Sequence, residues 1–188
     1  MQNIDRDDKQ IINDYLEGDE ESLRILIDKY LRPVYNFTYH ICNNTEDAED
    51  ITAEVFIKIW KNLKKYKPEQ NFKVWLFAIV KNTTLDWLRK RKSLVFSDFE
   101  TQDGENFIEN MTPDSAPLQD ELAVLKEDKI ILSEKISRLS PIYQSILVLR
   151  YTEELSFKEI GEVLQKSINT VKSQHRRALM ELRKLFNN

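Results

Sequence analysis

YKPEQNFKVWLFAIVKNTTLDWLRKRK, residues 66–92, puts two tryptophans, two phenylalanines and a strongly basic end into one stretch of helical periodicity. Asn71 stands where a helix cap is needed, and Phe72, Leu76, Ile79, Val80 and Trp87 recur at steps that predict one buried face. On the opposite face, turn by turn, Asn82 has Ala78, Asp86 and Arg89 as neighbours. Lys73, Lys81 and the run Arg89, Lys90, Arg91 and Lys92 are then open to phosphates. Rings set among lysines and arginines suit splayed single-stranded bases, where stacking contributes about 1–3 kcal/mol per base. The same pattern also describes an ordinary core helix with a solvated, charged end.

Working outward, 188 residues of which 41% are hydrophobic are enough for one sizeable domain or two small ones. Only three glycines (Gly18, Gly104 and Gly161) leave no room for a phosphate-cradling loop or many strand turns, so the expected fold class is all-α. A single cysteine, Cys42, excludes an internal disulfide and fits a reducing compartment. No apolar run approaches the ~18 residues of a membrane span, and the acidic, polar N-terminus is unlike a signal peptide. The expectation is a cytoplasmic protein without membrane insertion.

Charge comes in blocks that the net value of −4 conceals. Residues 1–56 carry 14 acids and 5 bases, whereas residues 57–92 carry 2 acids and 11 bases. Residues 93–129 return to 10 acids and 2 bases, and residues 158–188 hold 3 acids and 7 bases. Two basic patches around an acidic spacer read as two nucleic-acid footprints, with the acidic blocks repelling DNA or facing a basic partner.

Before the opening stretch, a short amphipathic segment with Ile11, Ile12, Tyr15 and Leu16 is expected to end at Gly18. A second helix follows through Leu23, Leu26, Ile27 and Tyr30 toward Ile41, kinked or locally adjusted at Pro33. Asn43 and Asn44 break it. Thr45 is the expected cap of a third helix that buries Ala48, Ile51, Val55, Ile59 and Leu63. Carboxylates in its first turn suit the helix dipole, worth about 0.3–1 kcal/mol each.

Periodicity lapses from Ser93 to about Leu118, where Ser, Thr, Asp, Asn, Pro113 and Pro117 dominate. This reads as a flexible acidic linker. Its 26 residues reach at most about 90 Å at ~3.4 Å each, enough to join modules two DNA turns, about 70 Å, apart. The reading is therefore two small helical domains, residues 1–92 and 119–188, joined by the linker 93–118. In the second, a helix is expected from Gln119 to Leu139. Ser140, Pro141 and Gln144 suggest a cap, an N1 proline and a capping-box partner. Ser156 with Glu159 makes another box, and Ser167 caps the last helix.

The segment Ser156–Arg177 (SFKEIGEVLQKSINTVKSQHRR) has helix-turn-helix spacing, with Gly161 at a close helix crossing and Val171 ten residues on facing the core. Ile168, Val171, His175, Ala178 and Leu182 are expected on the inner side. Asn169, Thr170, Lys172, Ser173, Arg176 and Arg177 face outward, and these types pair with base edges or reach phosphates. A helical hairpin with a solvated polar face is the plainer reading.

No catalytic or metal-binding constellation stands out. His175 reads as a packed residue, His40 has no partner at ligand spacing, and His-Glu-x-x-His, paired-cysteine and nucleophile-elbow patterns are absent. No cofactor, metal, small-molecule substrate or enzymatic activity is expected.

Taken together, DKYLRPVYNFTYH (28–40), EDAEDITAEVFIKIWKNL (46–63), FKVWLFAIVKNTTLDWLRKRK (72–92), LSPIYQSILVLRYTEELSFKEIGEVL (139–164) and NTVKSQHRRALMELRKL (169–185) resemble the sigma-70 family of bacterial RNA polymerase specificity subunits. Within it they resemble the compact extracytoplasmic-function (ECF) group, which keeps only regions two and four. The resemblance implies that the chain binds core RNA polymerase and directs it to promoters. Asp47, Asp50 and Glu54 would face the clamp helices of the largest polymerase subunit. The loop from Tyr66 to Asn71, with Asn82, would capture a flipped base of the −10 element, and Trp75, Lys73, Lys81 and Arg89 would help hold the melted strand. The recognition helix would read the duplex −35 element, Ser140–Tyr151 would pack on the polymerase flap tip, and an anti-sigma factor is an expected partner. A stand-alone helix-turn-helix regulator is the alternative, and it leaves the 66–92 helix without a role.

Two departures from the family pattern stand out. Gln165 occupies the helix-turn-helix turn where glycine is usual. Gln174, His175, Arg176 and Arg177 replace the common Arg-Leu-His-Arg, which removes one phosphate contact and puts a histidine at an apolar inner position.

Overall fold

The computed structural model describes residues 7–96 and 131–187, with no strand among the described residues. Four helices form the first half: α1 (Asp8–Leu16), α2 (Glu20–Cys42), α3 (Thr45–Asn62) and α4 (Phe72–Phe96). A 3₁₀ turn over Leu63–Lys65 closes α3. In the second half, helical residues 131–137 (α5) precede α6 (Pro141–Leu147), α7 (Phe157–Leu164) and α8 (Ile168–Asn187). The expected linker lies outside the described residues except for 93–96, which continue α4. Residues 119–130 of the helix expected from Gln119 also lie outside them.

Local chemistry sets most helix boundaries. Asp19 caps α2, accepting from the Glu21 N–H at 3.2 Å and the Ser22 hydroxyl at 2.7 Å. The helix runs unbroken through Pro33 and stops at Asn43, whose left-handed backbone (φ 50°) sends its N–H to the Tyr39 carbonyl. The cap of α3 is Asn44, not Thr45: its side chain accepts the Asp47 N–H at 2.8 Å, and Thr45 is the first helical residue. Pro141 does begin α6, but the expected box is not made. Ser140 makes no side-chain cap bond, and the buried Gln144 side chain turns back to donate to the Ser137 and Leu139 carbonyls at 3.0 and 2.7 Å. The Ser156–Glu159 box is complete.

After α6 the chain widens into a turn of π-helix over Val148–Thr152. In the helix-turn-helix, Gly161 is required by contact: a Cβ there would meet the Lys166 carbonyl oxygen at 2.8 Å.

In the first half α2 packs on α1, α3 and α4, and α3 also packs on α4; in the second, α8 packs on α6 and α7. The halves also meet, α4 against α7 and α2 against α6. One apolar cluster therefore joins Phe37, Phe72 and Val80 to Ile146, Leu155 and Ile160. This corrects the expectation of a single buried face on α4. Phe72, Val74, Leu76, Phe77, Val80, Thr83 and Thr84 are all buried, because partners lie on several sides of the helix.

Candidate nucleic-acid interface

The N-terminus of α4 is built by Asn71, whose Oδ1 accepts the Lys73 N–H at 2.9 Å. Ahead of it, the ring of Tyr66 is 6% exposed, packed edge-on against Phe72 at 5.4 Å and beside Trp75 at 5.5 Å. Its hydroxyl donates to the Gln70 carbonyl. Tyr66 thus leaves no free face for a base and shapes the loop, whereas Trp75 is half-buried. Asn71 and Lys73 reach the second half of the chain. Asn71 Nδ2 donates to Glu159 Oε1 at 2.8 Å, and Lys73 Nζ donates to the Glu153 carbonyl at 2.7 Å and pairs with its carboxylate at 3.1 Å.

Further along α4, Asn82 is exposed beside half-buried Lys81. Burial first, then the nearby Arg89, holds the Lys81 ammonium below its ordinary value. Arg89 pairs with Asp86 at 3.1 Å. Arg91 pairs with Asp47, tying the first turn of α3 to α4, so neither is free in the way the sequence suggested.

Asp50 is exposed on α3, and Glu54 pairs with Lys58 at 2.7 Å. Lys58 also donates to the buried Thr83 hydroxyl at 3.1 Å. Glu54, Lys58 and Thr83 line a cleft of about 230 Å³ between α3 and α4, together with Asp86, Trp87, Arg89 and Lys90. Sequence reading passed over Lys58, although its i, i+4 spacing from Glu54 was visible.

In the second half Asn169, Lys172, Ser173, Arg176 and Arg177 are exposed along α8, with Val171 and Ala178 fully buried behind them. Thr170 is half-buried and its hydroxyl bonds to Ser167 at 2.8 Å, so it serves the helix start. Ile168 is 43% exposed, contrary to its expected inner position, because it lies in the first turn before α8 enters the core. His175 is half-buried, with Nε2 3.0 Å from the Tyr151 hydroxyl and its ring edge-on to Phe157 at 5.1 Å. Burial, then the charge of Arg150, lowers its pKa, so it is neutral near pH 7.

No group of three or more potential metal ligands gathers among the described residues. No helix among them is long and apolar enough to cross a membrane.

Two family models match the chain, Sigma-70 region 2 over residues 26–94 and Sigma-70 region 4 over residues 129–182. The ECF RNA polymerase sigma factor SigW of Bacillus subtilis is 32% identical over 183 residues, covering 94% of this chain and 95% of the relative. SigX of the same organism is 27% identical over 170 residues, covering 88% and 84%. Two solved structures share the fold. CnrH in complex with the cytosolic domain of CnrY has a TM-score of 0.68 at 18% identity, covering 96% of this chain and 97% of its own. The Bartonella quintana sigma factor RpoE in complex with the anti-sigma factor NepR has a TM-score of 0.68 at 21% identity, covering 89% and 98%. With both regions matched in order and a relative aligned along nearly its whole length, the chain belongs to the ECF group of the sigma-70 family of RNA polymerase sigma factors.

Proposed function

We propose that this ECF sigma factor, which binds core RNA polymerase and directs it to specific promoters, divides that work between two modules. Residues 1–92 engage polymerase and the melted −10 strand, residues 119–188 read the −35 duplex, and residues 93–118 tether them. The carrying observation is the recognition face: Asn169, Lys172, Ser173, Arg176 and Arg177 lie exposed on a helix whose opposite side is locked by Val171 and Ala178. A rigid helix offering an amide, a hydroxyl and three cations fits a major groove, where arginine pairs bidentately with guanine and asparagine with adenine.

On the first module, Asn82 is the exposed amide to pair with an extruded base, with Lys81 and Arg89 beside it for phosphates. Asn71, Lys73 and Trp75 extend that track. Tyr66, being buried, supports it from beneath. Asp50 and Glu54 present carboxylates to polymerase. Asp47 acts through its pair with Arg91 by holding α3 and α4 in register. The chain performs no chemistry itself, works in the cytoplasm beside polymerase, and is held by an anti-sigma factor when its regulon is silent.

Run-off transcription with core polymerase, followed by mapping of start sites, tests the proposal. Arg176→Ala is expected to weaken upstream-element binding by about 1–3 kcal/mol. Asn82→Ala is expected to impair opening more than initial duplex binding. Equal losses in the two Asn82 assays would contradict its role.

A further inference from the structure

Two ion pairs meet in the cleft between α3, which carries the carboxylates assigned to polymerase, and α4, which carries the groups assigned to the strand. On α3, Lys58 Nζ lies 2.7 Å from Glu54 Oε1 and donates to the Thr83 hydroxyl of α4 at 3.1 Å. On α4, Arg89 Nη1 lies 3.1 Å from Asp86 Oδ1. Both pairs line the same space of about 230 Å³. Thr83 is buried and directly follows Asn82, so Lys58 is tethered one residue from the amide assigned to the extruded base.

Charge in the cleft is unequal, with the carboxylates of Glu54 and Asp86 set against the cations of Lys58, Arg89 and Lys90. Once a basic group of polymerase engages Glu54, Asp86 is the carboxylate left in the cleft and the cations compete for it. Arg89 is the easiest to release. Its side chain is 75% exposed against 38% for Lys58, so its guanidinium is already largely hydrated and its pair with Asp86 contributes little. Thr83 need not lose a partner when Lys58 turns away: its hydroxyl can bond the carbonyl one turn back, as the Thr84 hydroxyl does to Val80 at 2.8 Å.

We propose that Lys58 is a positioning residue that exchanges Glu54 for Asp86 when polymerase takes the Glu54 carboxylate, and thereby releases Arg89 to a phosphate of the melted strand. The inference rests on the polymerase-facing reading of Glu54 and the strand-holding reading of Arg89, and adds the link between them. Exposed pairs of this kind set the coupling at about threefold, and by linkage strand and polymerase favour each other by the same factor. The spacing of each pair is visible in the sequence, whereas their meeting is not, since Lys58 and Thr83 stand 25 residues apart.

The test uses the chain with core polymerase on a promoter found by start-site mapping, with 2-aminopurine in the melted strand to report opening. Lys58→Met is expected to slow opening about threefold while polymerase association stays as tight as in the wild type or tighter, because Glu54 is then unpaired. Lys58→Arg is expected to keep near-wild-type opening. Adding Asp86→Asn to Lys58→Met is expected to restore opening, since Arg89 then has no carboxylate to hold it; a merely structural role of Lys58 predicts no such rescue. Unchanged opening in Lys58→Met, or no rescue by Asp86→Asn, overturns the relay. A second measurement needs neither polymerase nor a Lys58 variant: in the free chain, Glu54→Gln is expected to move the Arg89 Nε–H resonance toward its position in Asp86→Asn, and an unmoved resonance also overturns the relay. If Arg89→Ala slows opening and Lys58→Met does not, the relay alone falls; if Arg89→Ala opens like the wild type, the strand reading of Arg89 falls with it.

Discussion

Gln165 ends α7 with φ at 55°, a left-handed conformation that costs a side-chain-bearing residue about 1 kcal/mol. Gln165→Gly is expected to raise stability by about 0.5–1 kcal/mol in urea unfolding, with no change in the helices. Gly161→Ala is the opposite case. Its new methyl would strike the Lys166 carbonyl, and a loss of about 1–3 kcal/mol is expected.

His175 adds a pH dependence whose sign follows from burial. The folded pKa lies below the ordinary 6.5, so between the two values the unfolded chain binds a proton that the folded chain refuses. Stability is complete above about pH 6.5 and falls as pH drops toward the lowered folded value. His40, also lowered by burial, works in the same direction. Melting temperatures from pH 7.5 down to 5 are expected to fall less in His175→Leu than in the wild type. The sequence marked both Gln165 and His175 as departures. It could not show that the Tyr151 hydroxyl and Phe157 would accommodate the histidine, since those contacts depend on the π-helical turn that sets Tyr151 beside α8.

At the scale of the helix, side-chain chemistry within four residues was legible and its competitors were not. Asn71, Ser156 and Ser167 cap the helices that the sequence assigned to them. Two other assignments failed, one to a competing neighbour and one on spacing. Asn44 has extended backbone and reaches the Asp47 N–H, which displaces Thr45 by one residue. Gln144 stands four residues after Ser140, one past the N3 position that a capping box needs, and its amide bonds two carbonyls at the end of the preceding helix instead. The α3 assignment can be checked directly. Asn44→Ala is expected to cost about 1 kcal/mol in thermal or urea unfolding, and Thr45→Ala only a few tenths. Helix α4 was harder to read because its apolar residues encircle much of the helix, and a pattern seen as one face concealed a second partner, α7.

At the scale of the molecule, charge blocks and motif order gave two modules and a spacer, and both modules are there. What they left open was whether the modules touch. That depends on complementarity between surfaces far apart in sequence, and no periodicity encodes it. In this arrangement Phe72 and Val80 share an apolar cluster with Leu155 and Ile160, so separating the modules exposes apolar surface on both. Free energy held in such a shared core couples the two unfolding equilibria. Heating the full chain is therefore expected to give one calorimetric transition whose van't Hoff and calorimetric enthalpies agree. Glu153→Gln leaves Lys73 facing an uncharged partner and loosens the junction, and two resolved transitions are expected in that variant. A wild-type chain that already melts in two steps would mean that the modules are stable alone and that their contact contributes little to either.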